Sequence, residues 1–259
     1  LARQAYEKKE KEFMKAGLKE EFVSKWQKYF GQAELPIAFY YTDDEDRAEK
    51  VKVPSRHQCV IGVLSRVRKG ISLSLDKETV GCGGGKRCLG FPFKTSPDFK
   101  YFLSVGLPGR VEGERYKKSP ELVEQVLKGW AGFKAPARNI VFKRWDRMET
   151  GDEPEVVIFF AKPDVLSALF TLANFDELEN KVFTPFGAGC SSIVQNPYLE
   201  REKDSPRCVI GMFDISARPF VEKDILTFAV PMKKFRTMVA NMDESFLITR
   251  SWEKVKKRI

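Results

Sequence analysis

Leu18, Phe22, Trp26 and Phe30 recur at four-residue steps, which places them on one face of a helix over about residues 19–30. Gly31 follows as its stop. Pro36-Ile-Ala-Phe-Tyr-Tyr-Thr42 is a short apolar and aromatic run, the pattern of a strand. Helical spacing returns over residues 57–69, with Val60, Ile61, Leu64 and Val67 inward and Gly70 closing the turn. Ile71-Ser-Leu-Ser-Leu75 alternates with period two, as a half-buried strand does. A short helix is expected around Lys86–Gly90, and residues 92–118, rich in Pro, Gly and Lys, read as mostly irregular. Ser119-Pro-Glu-Leu122 then opens a helix: Ser caps it, Pro takes the first position and an acid follows.

Asn139–Trp145 and Glu155–Phe160 read as strands, with Met148–Pro154 as the turn between them. Pro163–Asn174 is a helix whose expected buried face holds Asp164, Leu166, Leu169 and Phe170. Further strands are expected at Lys181–Thr184, Arg207–Phe213 and Ile225–Val230, and further helices at 3–16, Pro231–Asn241 and Asp243–Arg258. The tetrapeptide Cys-Val-Ile-Gly occurs at 59–62 and at 208–211, but the first copy fits a helix and the second a strand, so the match is read as chance. Helices and strands are interspersed without regular βαβ units, so the fold class is α+β: a mixed β-sheet flanked by helices, with additional helices at both termini. The expected division is a charged N-terminal helix at 1–17, a single domain at 18–241 and a basic C-terminal helix at 242–259.

Composition changes this picture little. A chain of 259 residues with 42% hydrophobic content and 21 Phe can bury a core without disulfide staples. No apolar run approaches the roughly 20 residues that span a bilayer, so membrane insertion is not expected. Residues 1–11 carry no apolar signal-peptide region, which makes the cytoplasm the default expectation. The net charge of +9 resembles a nucleic-acid signal, but residues 1–30 hold +3 and residues 250–259 hold +4, leaving +2 for the rest. Such basic helix faces are usually solvated, and no RNP, zinc-finger or helix-turn-helix signature is present, so nucleic acid is disfavoured.

The chemistry concentrates in two stretches. Gly81-Cys-Gly-Gly-Gly-Lys-Arg-Cys-Leu-Gly-Phe91 and Phe186-Gly-Ala-Gly-Cys-Ser-Ser-Ile193 each set a cysteine in a glycine-rich turn ahead of a short helix. Glycine permits positive φ and close approach, and successive N–H groups in such turns attract a thiolate, a cluster sulfur or a phosphate. The five cysteines, Cys59, Cys82, Cys88, Cys190 and Cys208, are odd in number in a chain with no export signal, so structural disulfides are not expected.

The order of landmarks resembles domain-of-unknown-function family 169, a group of uncharacterised bacterial and archaeal proteins. The landmarks are Pro36-Ile-Ala-Phe, Cys59 opening a helix that ends at Gly70, Gly81-Cys-Gly-Gly-Gly with Leu89-Gly-Phe, Glu155–Pro163, Gly189-Cys-Ser, Ser205-Pro-Arg-Cys208 and Asp224-Ile-Leu-Thr-Phe-Ala-Val-Pro231. The resemblance covers roughly residues 18–241. It implies cysteines at positions 59, 82, 190 and 208, and it gives Cys88 and the terminal helices no family role. It assigns no activity.

Three readings of the site follow. Cys59, Cys82, Cys190 and Cys208 together match the thiolate count of an iron–sulfur cluster or a metal ion, with glycine-loop N–H groups hydrogen-bonded to sulfur. Their separations of 23, 108 and 18 residues, without a Cys-x-x-Cys pair, favour a cluster over structural zinc; plain buried thiols are the bland alternative. In the second reading, the 81–87 glycine loop, with Gly83, Gly84, Gly85, Lys86 and Arg87, holds a small anion or small molecule without metal; Gly187, Gly189 and Ser191 of the second loop are the further candidate cofactor-binding residues. The third is a cysteine enzyme built on Cys190, for which His57 is the sole histidine and a poor partner. A small-molecule ligand or a redox partner suits each. The loops at 81–85 and 187–190 are expected to face each other across a cavity. Four ligating sulfurs would stand about 6–7 Å apart, with Cys88 in the core beside Leu89 and Phe91.

Overall fold

Alternation along the strands decides the architecture. In a computed structural model describing residues 17–47, 49–50, 59–130 and 132–259, eight strands form one mixed sheet: β1 (Ile37–Thr42), β2 (Glu49–Lys50), β3 (Leu73–Leu75), β4 (Asn139–Arg144), β5 (Val156–Ala161), β6 (Val182–Phe183), β7 (Cys208–Gly211) and β8 (Leu226–Pro231). Their order is β2-β3-β4-β1-β5-β8-β7-β6. The β2–β3 and β6–β7 pairs are parallel and the rest antiparallel. The helix expected at 3–16 and the residue His57 lie outside the described residues. Among the described residues no helix is long and apolar enough to cross a membrane.

Each central strand sends alternate side chains into two separate cores. Ile37, Phe39, Val156, Ile158, Val209 and Ala229 face one layer. Ala38, Tyr40, Val157, Phe159, Cys208 and Val230 face the other. Burial on both faces explains the nearly unbroken apolar run of β5, Val-Val-Ile-Phe-Phe-Ala, in which every residue is buried. The turn expected at Met148–Pro154 joins β4 to β5, but the equally apolar β1 lies between the two strands in the sheet, Ile37 pairing with Arg144 on one side and Ile158 on the other.

The second layer is helical and aromatic. It contains α1 (17–30), which carries Phe22, Trp26 and Phe30 inward and ends at Gly31 with φ 62°. Trp26 stacks on Phe30 at 4.1 Å and meets Phe159 at 5.1 Å. The helix at Pro163–Ala173 buries Val165, Ala168, Leu169 and Leu172. Its expected face is therefore rotated: Phe170 is exposed and Asp164 pairs with Arg258 at 3.1 Å. Met232–Asn241 and Arg250–Lys256 complete the layer. The last helix starts seven residues later than Asp243, because Ser245 caps a 3-10 turn and Thr249 then caps Trp252 N–H. Trp252 donates to Tyr29 O at 2.9 Å and so ties the C-terminal helix to α1.

The first layer carries the long connections. It holds α2 (Val60–Arg68), α3 (Gly83–Cys88), α4 (Phe99–Phe102), α5 (Pro120–Gly129) and α7 (Asn196–Glu200), with the Pro163–Ala173 helix of the opposite face numbered α6 in chain order. Ser119 caps α5 through Leu122 N–H at 3.3 Å, as its sequence dictates. Residues 76–138 leave the sheet between the paired strands β3 and β4. Phe133 packs this excursion onto Tyr198 of α7 at 5.1 Å, and Tyr41 OH donates to Leu89 O at 2.9 Å.

A charged pair is buried in the second layer. Lys143, on β4, donates to Asp152 at 2.9 Å and Glu149 at 2.8 Å, and Tyr40 OH donates to the other Asp152 oxygen. The Lys143 and Asp152 side chains are 2% and 1% exposed. Removing one partner strands the other charge in the core. Asp152→Ala is expected to cost about 3–5 kcal/mol in urea unfolding; a loss below about 1 kcal/mol would show that the pair is effectively solvated.

Candidate cysteine site

Three cysteines sit at the starts of three helical segments. Cys59 is the N-cap of α2, in extended conformation, without a side-chain cap hydrogen bond, and the nearby Ile61 and Gly62 N–H groups favour its thiolate. Cys82 is the N-cap of α3 and accepts from Gly85 N–H at 3.4 Å. Cys190 precedes the π-helical turn Ser191–Gln195. A sulfur at an N-cap does the work of a Ser or Asp oxygen there, and the positive helix end favours negative charge on it.

The three meet around Gly84. The Cys190 thiol points at Gly84 O, 4.0 Å away. A methyl group at Gly84 would lie 3.8 Å from the Cys82 sulfur. Both sulfurs therefore border Gly84, and Cys59 neighbours Val60, against which Gly85 packs. The loops at 81–85 and 187–190 thus touch directly. The neighbouring glycines explain how. A methyl at Gly85 would stand 2.8 Å from Val60 Cγ2, and one at Gly189 would stand 3.0 Å from Ala217 Cβ. Only a residue without Cβ lets α3 press on α2, and the Cys190 loop press on its neighbours, this closely.

Burial pushes the Cys59 and Cys82 thiols above their ordinary range, against the N–H groups that pull them down. Cys190 is pushed well above it, first by a hydrogen bond with the Cys88 thiol and then by burial. Two residues absent from the expected site belong to this group. Cys88 is 4% exposed among Leu89 and Phe91, yet touches Cys190. Asp214, in the loop after β7, accepts from Gly189 N–H at 2.9 Å and from Tyr116 OH at 3.1 Å, and its charge raises both Cys82 and Cys190. Nothing in the spacing singles out Asp214; only the fold brings it to Gly189.

Cys208 is a correction. It lies on β7 in the second core, fully buried, while its neighbour Val209 faces the first. The sheet stands between it and the other thiols. Burial raises its thiol strongly, Lys234 opposing. The remaining residues also find local tasks. Arg87 lies over the Trp130 ring at 5.1 Å, Lys86 N–H donates to Cys82 O at 2.9 Å, and Gly83 packs under Phe93. Gly187 lies against Ser191, whose carbonyl accepts from Asn196 at 2.9 Å. Gly85 N–H is engaged by the Cys82 sulfur and Arg87 by an indole, while the Lys86 ammonium forms no ion pair among the described residues. Among the described residues no group of three or more His, Cys, Asp or Glu converges tightly enough to hold a single metal ion.

Two outcomes follow. Gly85→Ala should destabilise the fold by about 1–3 kcal/mol, whereas Gly84→Ala, which meets only the Cys82 sulfur at contact distance, should not; equal effects in thermal unfolding would contradict the close-approach role. Raised folded-state thiols hold stability that is complete below the unfolded thiol range near 8.5 and is lost as pH rises beyond it. Stability measured from pH 8 to 10 should therefore fall, and Cys208→Ala should flatten that slope while lowering stability at pH 7.

No match to the chain was found among curated proteins or among solved structures. A family profile does match, over residues 26–241, a span that contains all five cysteines, Asp214 and every strand of the sheet. The chain belongs to the DUF169 family, described as uncharacterised ArCR.

Proposed function

We propose that this protein holds an iron–sulfur cluster on the thiolates of Cys59, Cys82 and Cys190 and uses it toward a small-molecule ligand or a redox partner. The observation that supports this reading is that Cys82, at the start of α3, and Cys190, ahead of the π-helical turn, both border Gly84, with Cys59 at the start of α2, against which Gly85 packs. Burial raises all three thiols, Cys190 adds to the rise at Cys59 and Cys82, and the three are costly to ionise together in the absence of a cation. A cluster carries the compensating positive charge, and Gly85 N–H already donates to the Cys82 sulfur, as the donors around a cluster's cysteine sulfurs do.

A cluster is favoured over a single ion by spacing. A tetrahedral ion with metal–sulfur bonds of about 2.3 Å needs sulfurs roughly 3.8 Å apart, and among the described residues no group of three such ligands converges on a single ion. All five cysteines are free, which suits a reducing compartment such as the cytoplasm.

Loading must displace protons from the thiols, so it should strengthen as pH rises from 6 to 9. Protein reconstituted without oxygen, with ferrous iron and sulfide, should bind both and develop visible absorption. Cys59→Ala, Cys82→Ala and Cys190→Ala should each lose most of the bound iron. Iron content unaffected by all three substitutions would sink the proposal.

A further inference from the structure

We infer that the chain has a separate small-molecule site in its second layer, built for a small organic carboxylate with an apolar body. A cavity of about 90 Å³ lies there between the start of α1, the connection from β4 to β5 and the helix Met232–Asn241. Trp145 and Met148, which line it, belong to the second core, whereas Cys59 and Cys190 pack with the first. The site therefore stands whether or not the cysteines hold a cluster. Leu18, Met148, Pro154 and Met232 supply an apolar lining. The space is that of several water molecules, which suits a short-chain acid.

Donors select the head group. Trp145 is 3% exposed, and its indole Nε1–H has no acceptor among the described residues. Phe22 at 5.6 Å and Phe235 at 4.8 Å hold the ring in place. A buried donor left without an acceptor is destabilising, and a ligand oxygen would relieve it. Arg236 lines the same cavity from an exposed position and forms no ion pair among the described residues. Lys19 donates to Met148 O at 2.9 Å and has further ammonium protons to give. The acids of the lining are mostly engaged. Asp152 accepts from Lys143, Tyr40 OH and Glu149 N–H, and Glu149 accepts from Lys143. Lys19 and Arg236 outweigh the remaining Glu20, so the local balance favours an anion. A carboxylate accepts from the indole and the guanidinium, and its carbon chain covers the apolar lining.

The test uses the full chain without added iron, labelled with nitrogen-15, and follows the assigned indole N–H resonance of Trp145. Butyrate should shift that resonance saturably, and butyramide, its uncharged isostere, should not. Arg236→Gln should weaken butyrate binding by about tenfold or more, with thermal unfolding unchanged. Cys82→Ala should bind butyrate as wild type does. Butyrate that leaves the Trp145 resonance in place overturns the inference, and so does butyramide binding equally well. Undiminished affinity in Arg236→Gln removes the head-group assignment and overturns it too. Loss of binding in Cys82→Ala would put the ligand on the cysteine face and contradict the site.

Discussion

The close approach of α3 to α2 and to the Cys190 turn governs the first layer. Two glycines make it: Gly85 where Val60 and Val80 leave no room for a methyl, and Gly189 where Ala217 and Met212 do the same. Without that approach the three cysteine caps would belong to three unrelated turns. With it, the Cys82 sulfur keeps the Gly85 N–H of its own helix, and the Cys190 thiol is brought to Gly84 O beside it. The cost is electrostatic. Thiols packed together and shielded from water resist ionisation, and Asp214 adds to that resistance. A group arranged in this way is quiet when protonated and gains most from a cationic occupant.

The sheet gives this arrangement something rigid to stand on. Its second face is locked by rings, with Phe22 5.0 Å from Phe235 and Trp145 4.8 Å from Phe235, and by the buried Lys143–Asp152 pair. The first face is where the chain departs on long excursions. Phe133 on Tyr198, Lys117 over Phe186 at 3.9 Å and Tyr116 on Asp214 pin those excursions to one another beside the cysteines. The division of labour is the common one, with chemistry on loops that a stiff sheet positions.

Much of this was legible in the residues. Strong periodicity located nearly every long element, from Phe22, Trp26 and Phe30 to the Ser119 cap, and the shared Cys/Gly chemistry pointed to two loops as partners. What failed was information that spacing does not hold. Alternation says that Cys208 and Val209 face opposite ways, but not which face meets the glycine loops; four cysteines therefore looked like one set. Cys88 was read as plain core because its neighbours are Leu89 and Phe91, and its contact with a thiol a hundred residues away depends on the fold. The glycines were read for their N–H groups, and the structure uses Gly85 and Gly189 chiefly for their missing side chains. The α6 face was misjudged for a different reason: Phe170 is apolar but exposed, and pattern alone does not distinguish an outlying phenylalanine from a buried one.

The account stands on three thiols forming one metal-holding group that excludes Cys208. An anomalous difference map at the iron edge, from crystals grown and loaded without oxygen, tests this most directly. The account predicts one iron peak, bounded by the sulfurs of Cys59, Cys82 and Cys190 beside Gly84. A peak at Cys208 in the second core, or a loaded crystal with no iron near Gly84, would contradict it.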